Sequence, residues 1–123
     1  MAADYPSPGN KLGHTDFHVV WDTSVVLTDM GGRNVATYAA QLDAQVASRL
    51  DAWRAWSAGT PADWANESHR IAQKIYAELG NPAPGTTLKL GSGYGMAHAA
   101  IVEEQLERAG VRLGAILNRD LGQ

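Results

Sequence analysis

The stretch DFHVVWDT, residues 16–23, places a histidine, a tryptophan and an aspartate close together. His18 and Asp22 are four positions apart. On a helix, that spacing puts both side chains on one face, a turn from each other. A neutral imidazole and a carboxylate are donor types that zinc accepts, so His18 and Asp22 are candidate metal ligands. A solvated polar pair with an aspartate near a helix N-terminus has the same spacing. The chain has no cysteine, which excludes a disulfide framework and a thiolate zinc site. Any metal must therefore be held by His, Asp or Glu.

The remaining chemistry-bearing residues give weaker patterns. His14 lies in a glycine-flanked turn and reads as solvated. His69, after ANES and beside Arg70, suits surface or capping hydrogen bonds. His98, in GMAHAAIVEE, opens the last helix and either packs or faces solvent. Glu103 and Glu104 are adjacent and read as a solvated face, since neighbours on a helix do not aim at one target. GSGYG is glycine-rich, but no Lys-Ser/Thr follows it and no strand clearly precedes it, so it reads as a flexible connector rather than a phosphate loop. Trp21, Trp53, Trp56 and Trp64 are either base-stacking residues or helix-interface residues.

The elements that must position these groups are helices. Thr15 or Asp16 caps a helix that begins DFHVVWD and fades near Leu27, although the β-branched run TSVV also suits a strand. TDMGGRN is a loop. Val35, Tyr38, Leu42, Val46, Leu50 and Trp53 recur at steps of three and four, which predicts a helix capped by Asn34. Thr60, Pro61 and Asp63 form a capping-box-like start for a helix with Trp64, Ser68, Ile71, Ile75 and Leu79 on one face and Gly80 at its end. Pro82, Pro84 and Gly85 make GNPAPGTTLKLGSGYG an irregular connector. A last helix runs from about Tyr94 to Asn118, with Val102, Leu106, Ala109, Leu113 and Leu117 as its stripe and Gly110 inside it for close packing. Residues 35–56, 62–79 and 95–118 should pack on one another. Their contact should bury Trp21, Leu42, Val46, Leu50, Trp64, Ile71, Ile75, Val102, Leu106 and Leu113. The fold class is all-α, one domain of about four helices, without internal repeats.

Composition fits that reading. The chain has 123 residues, of which 45% are hydrophobic and 19% charged, the balance of a folded domain with a modest core. Its formal net charge is −3, which argues against a basic groove that grips nucleic acid by neutralising phosphates. No apolar stretch is long enough to span a membrane. The N-terminal MAADYPSPGNK lacks the regions of a signal peptide and reads as a loop or a cut edge.

Three segments, DFHVVWDT, PADWANESHRIA and LKLGSGYGMAHAAIVEEQLERAGVRLGAILN, occur in an order that resembles the C-terminal part of the zinc-dependent single-strand-specific nucleases. These are the S-one/P-one nucleases, related to the zinc phospholipases C. Members carry an Asn-Leu-His-x-x-Trp-Asp segment, a Trp-Ala-x-Glu-Ser segment and a closing helix of this kind. The resemblance covers residues from about 10 to 121. Asp16 and Phe17 stand where the family has Asn and Leu; aspartate should still cap the helix and phenylalanine still pack.

The resemblance implies a mainly helical fold and a site of three zinc ions. It implies cleavage of phosphodiester bonds in single-stranded DNA and RNA, with possible removal of a nucleotide's 3′-phosphate, in a secreted or periplasmic setting. It makes His18 and Asp22 ligands of one zinc, with Trp21 holding the pair in place by packing. The family's N-terminal half, which carries the other ligands, has no counterpart here. Residues 1–123 thus correspond to a C-terminal portion. The expectations that follow are little activity from the chain alone, an exposed apolar patch, and either the missing half or a second copy as partner. The alternative is a non-catalytic helical remnant or interaction module.

Overall fold

The computed structural model of the chain describes residues 1–7 and 13–122. Helices dominate, as the periodicity predicts. The chain order is β1 (Ala2–Asp4), β2 (His14–Asp16), α1 (Phe17–Val19), a π-helical turn (Val20–Val25), α2 (Val26–Met30), α3 (Val35–Ala47), α4 (Leu50–Ser57), α5 (Pro61–Glu78), β3 (Thr87–Lys89) and α6 (Tyr94–Asp120). The first predicted helix is thus one continuous helical run from 17 to 30. The expected helix over 35–56 is two, because Arg49 leaves helical geometry at φ −124° and ψ 53°. The start of α5 is as expected. The Thr60 hydroxyl accepts from the Asp63 amide at 3.3 Å, the Asp63 carboxylate accepts from the Thr60 amide at 2.8 Å, and Pro61 is the first helical residue.

The small sheet is the departure from an all-α reading. β1 lies in the centre, antiparallel to β2 with Ala3 opposite Thr15, and parallel to β3 with Ala3 opposite Leu88. The N-terminal residues are therefore not a loose edge. Ala3 and Tyr5 are fully buried and join Phe17, Val20, Val25, Ile75, Leu88 and Val102 in one core. Residues 8–12, including Pro8 and Gly9, lie outside the described residues.

The sheet fixes where the first helical run begins. β2 passes directly into α1, and the Phe17 amide donates to the Met1 carbonyl at 2.7 Å. Asp16 is the N-cap residue but makes no side-chain cap bond; the strand pairing, not a carboxylate cap, starts the helix. Phe17 does pack, buried and edge-on to Tyr76 at 5.6 Å between centroids.

GSGYG is a tight entry into α6 rather than a flexible connector, and strand β3 precedes it. Gly95 is buried in the first turn of α6, and its amide donates to the Tyr5 hydroxyl at 2.9 Å. A Cβ at Gly95 would stand 2.5 Å from that hydroxyl oxygen and 3.1 Å from the Thr28 side chain. Gly95→Ala should therefore destabilise the chain by about 1–3 kcal/mol, the usual cost of overpacking. Urea denaturation measures it.

Gly110 does not permit close packing as expected. It is exposed, and an added Cβ there would meet nothing within 4 Å. Gly110→Ala should accordingly stabilise by about 0.5–1 kcal/mol through helix propensity alone. A lower thermal midpoint for this variant would show that the helix needs the glycine.

The core is smaller than the apolar stripes suggest. Ile75 and Val102 are buried, while Trp21, Leu42, Val46, Trp64 and Ile71 are only half-buried. Leu106 and Leu113 are exposed, Leu113 by 57%. The Leu50 side chain lies outside the described residues. On α6 the buried positions are Gly95, Ala99, Val102, Glu107 and Arg112. Two of these are charged, so α6 turns a partly polar face to α3, α4 and α5.

Arg112 shows how that face is held together. Its guanidinium donates to the Trp56 carbonyl at 3.0 Å and to both Glu67 oxygens, at 3.1 and 2.9 Å. It also lies over the Trp64 ring at 5.2 Å. Arg108 donates to the same Glu67 at 2.7 Å, pairs with Glu104, and covers the Trp56 ring at 5.2 Å. Glu67 thus ties α5 to α6, and Trp56 ties in α4. Trp56 and Trp64 are interface residues in this arrangement.

Candidate metal-ligand site

His18 and Asp22 lie on the helical run that β2 launches. His18 is in α1 and Asp22 in the π-helical turn. Both are exposed, and among the described residues neither side chain has a hydrogen bond or ion pair. A π-helical turn is closed by i→i+5 bonds, so positions four apart remain about one turn from each other. Such turns occur often at functional sites because the wider turn re-aims side chains. The buried residues Phe17, Val20, Ser24 and Val25 form the opposite side of this run. His18 and Asp22 are therefore on its open side, both free to take a ligand.

Trp21 sits between them and is fixed from α6. Its indole N–H donates to the Tyr94 hydroxyl at 3.2 Å. Its ring meets Tyr94 edge-on at 6.1 Å and His98 edge-on at 5.2 Å. Tyr94 in turn stacks on His98 at 4.2 Å and meets Tyr5 at 5.9 Å. Burial pushes the Tyr94 hydroxyl up to about 12, so it remains protonated at neutral pH.

His98 therefore packs. Its Nδ1 donates to the Tyr94 carbonyl at 2.8 Å, and its Nε2 faces the Glu78 carboxylate at 3.5 Å. This aromatic set spans residues 5 to 98 and holds the His18–Asp22 run at one height on α6. Sequence reading missed the role of Tyr94 and Tyr5; no local pattern marks partners so far apart in the chain.

The other expected sites fall elsewhere. His14 pairs with Asp4 across β1 and β2 at 2.8 Å, exposed to solvent. His69 is exposed on α5. Glu103 and Glu104 are not a common solvated face. Glu104 pairs with Arg108, whereas Glu103 turns inward towards Asp29 and Gln45.

Beside Asp22 opens a groove of about 560 Å³, walled by Trp21, Val26, Ile71, Ile75, Ile101 and Leu106. Its walls are mostly apolar, with Asp22, Ser68 and Gln105 as their polar members, and His18 is not among them. Further along α6, Leu113 and Leu117 are exposed, as is Leu121 just past its end, by 46–70%. The apolar surface expected of this chain is thus present, from the groove at Asp22 to the end of α6.

The donor types of the pair suit zinc, but the donor count does not complete a site. Among the described residues, no three His, Cys, Asp or Glu side chains come together in a way that could hold a metal ion. A structural zinc takes four protein ligands and a catalytic zinc three. By donor type His18 and Asp22 suit a zinc, and by count they would need further donors to hold one.

Fold and site together describe a mostly helical domain with a His-x-x-x-Asp pair on a helical run anchored by a tryptophan. The S1/P1 nuclease family model matches residues 8–122, and the chain belongs to the S1/P1 nuclease family. It is similar to Endonuclease 4 of Arabidopsis thaliana, with 31% identity over 115 residues, covering 85% of this chain and 37% of that protein. The chain thus spans well under half the length of that relative. No solved structure matches it. Among the described residues, no helix is long and apolar enough to cross a membrane.

Proposed function

We propose that residues 1–123 are the C-terminal portion of a zinc-dependent nuclease domain that hydrolyses phosphodiester bonds in single-stranded DNA and RNA, with 3′-nucleotides as further substrates. The observation that carries this reading is the family match over residues 8–122, joined to an exposed His18–Asp22 pair on an anchored helical run. His18 and Asp22 would hold one zinc, the Trp21 contacts would keep the pair in position, and the remaining ligands of a three-ion cluster would come from the rest of the domain. Zinc bound there would lower the pKa of a coordinated water and neutralise charge on the scissile phosphate. The chain's own part is to present two donors on a rigid run. The setting would be secreted or periplasmic.

The test is digestion of single-stranded DNA with zinc present. The chain alone should show little cleavage, because two donors cannot fix metal, water and phosphate together. Supplying the remainder of the domain should produce cleavage that a chelator abolishes. Strong chelator-sensitive cleavage by the chain alone would overturn the ligand assignment.

A second reading, a helical module without catalysis, is favoured by the same donor count. Zinc affinity measured by calorimetry on the complemented protein separates the two. The nuclease reading requires uptake that depends on His18 and Asp22, whereas the module requires none.

A further inference from the structure

A row of carboxyl groups runs through the contact of α3 with α6, away from the His18–Asp22 run. Glu103 and Glu107 are one turn apart on α6; Glu103 bonds to Gln41 of α3, and Glu107 lines a cleft together with Ala39, Leu42 and Val46 of α3. Opposite them α3 presents Tyr38, Gln41 and Gln45, again at helical spacing. The Gln41 amide donates to Glu103 at 3.4 Å, and Gln45 and Asp29 are also hydrogen-bond partners of Glu103. Asp29, at the end of α2, accepts from the Tyr38 hydroxyl at 2.5 Å. Glu107 is deeper still. Its side chain is 1% exposed, and among the described residues neither of its oxygens has a hydrogen-bond partner. The side-chain carbonyl oxygen of Gln45, whose side chain also bonds to Glu103, is buried and unpartnered among the described residues as well.

Ionised carboxylates do not fit this contact. Burying a charge is costly unless it is paired and hydrogen-bonded. Among the described residues, the cation paired with Glu107 is Arg49, at 3.6 Å, and it is itself half-exposed to water. Glu103 and Asp29 face each other with one further acid nearby, so both cannot be charged without repulsion. A proton on Glu103 turns that repulsion into a hydrogen bond, because the acid O–H donates to the Asp29 carboxylate. A proton on Glu107 removes the desolvation penalty of a buried charge that has no hydrogen-bond partner among the described residues.

We propose that Glu103 and Glu107 are a proton-operated clasp: α3 is held on α6 while both carboxyls carry protons and is released as they ionise. Burial is the main force on each group and raises it above the ordinary glutamate range near 4.5; the charges of Asp29 and Glu107 add to it at Glu103, and that of Glu104 at Glu107. A raised acid contributes stability fully present below its unfolded value and lost as pH rises through the folded value. The clasp is therefore closed in acid and loosens above that range. The other ionisable groups around it are Asp29 from α2, Arg33 before α3, Tyr38 and Asp43 on α3, Arg49 before α4, and Glu104 on α6. Glu104 is engaged by Arg108 on the other side. Release acts on more than α3, because Asp29 lies in the last turn of the helical run, residues 17–30, that also carries His18.

The test is hydrogen–deuterium exchange on the whole chain at pH 4.5 and pH 7.5, read as protection factors so that intrinsic exchange cancels. In the parent chain, α3 amides should lose protection severalfold at the higher pH, with α5 amides as an unchanged internal reference. The double variant Glu103→Gln/Glu107→Gln carries permanent neutral mimics of the protonated acids. In it, α3 should keep its protection at both pH values, and the histidines elsewhere are left in place as a control. Equal α3 protection at both pH values in the parent chain would overturn the clasp, whether or not the variant folds. So would parallel loss in α3 and α5, since that is global unfolding. A double variant that still loses α3 protection would show that other groups open this contact. None of these readouts involves zinc or nuclease activity, so the clasp stands or falls apart from the proposed function.

Discussion

His18→Ala, introduced into the chain complemented by the rest of a nuclease domain, is expected to remove most zinc-dependent cleavage of single-stranded DNA. The argument is one of coordination. His18 is exposed, has no partner among the described residues and lies outside the buried core. Its truncation should therefore leave the fold unchanged, and the loss can be assigned to the donor. Losing a group that merely supports a metal ligand costs roughly 10–100-fold in affinity or activity; losing the ligand itself should cost more. Trp21→Ala provides the comparison. It leaves both donors but removes the contacts with Tyr94 and His98, so its loss should fall within that range and include a fall in stability. The experiment measures zinc affinity, cleavage rate and thermal midpoint for the three proteins. Full activity in His18→Ala with an unchanged zinc affinity would remove His18 from the site.

Local order in this molecule was legible, and long-range order was not. Helical spacing places α5, α6 and the start of α3 well, because a repeat of three and four residues is a property of neighbours in sequence, but it carries straight through the break at Arg49 that separates α3 from α4. The capping box at Thr60 was readable for the same reason. The sheet was not, since strands of three residues are too short to show alternation and their pairing joins Ala2–Asp4 to Thr87–Lys89. The burial of α6 was misread in an instructive way. Its apolar stripe suggests that Leu106 and Leu113 face the core, yet Glu107 and Arg112 are buried instead. Periodicity finds an apolar face but not which face its neighbours cover. Here the covering helices bring Glu67, the Trp56 carbonyl and the Trp64 ring to the polar side. At the candidate site, the donor pair was visible because it is local. Its anchors, Tyr94 and His98, lie more than seventy residues away and were not.

That polar side gives the largest expected effect on stability. Glu67→Ala should destabilise the chain by about 3 kcal/mol, the lower end of the range for breaking a buried ion pair. The lower end applies because Glu67 is 24% exposed while Arg112 is 11% exposed. The variant leaves Arg112 desolvated with one remaining acceptor among the described residues, the Trp56 carbonyl, and removes a partner from Arg108. For a domain whose total stability is roughly 5–15 kcal/mol, this would take a large part of it. The pH dependence gives a second check. The Arg112 hydrogen bond, with the charges of Arg108 and Arg112, holds Glu67 below the ordinary carboxylate range despite its partial burial. A lowered acid contributes stability present above its unfolded value and lost as pH falls through the folded value. The stability gap between parent and Glu67→Gln should therefore be full at pH 6 and shrink on acidification below about 4.5. This is opposite in sign to the trend expected of Glu103 and Glu107, so the two sets of carboxyls can be told apart by denaturation curves at several pH values. A gap that stays constant down to pH 2 would mean that Glu67 acts through shape and neutral hydrogen bonds, and not through its charge on Arg108 and Arg112.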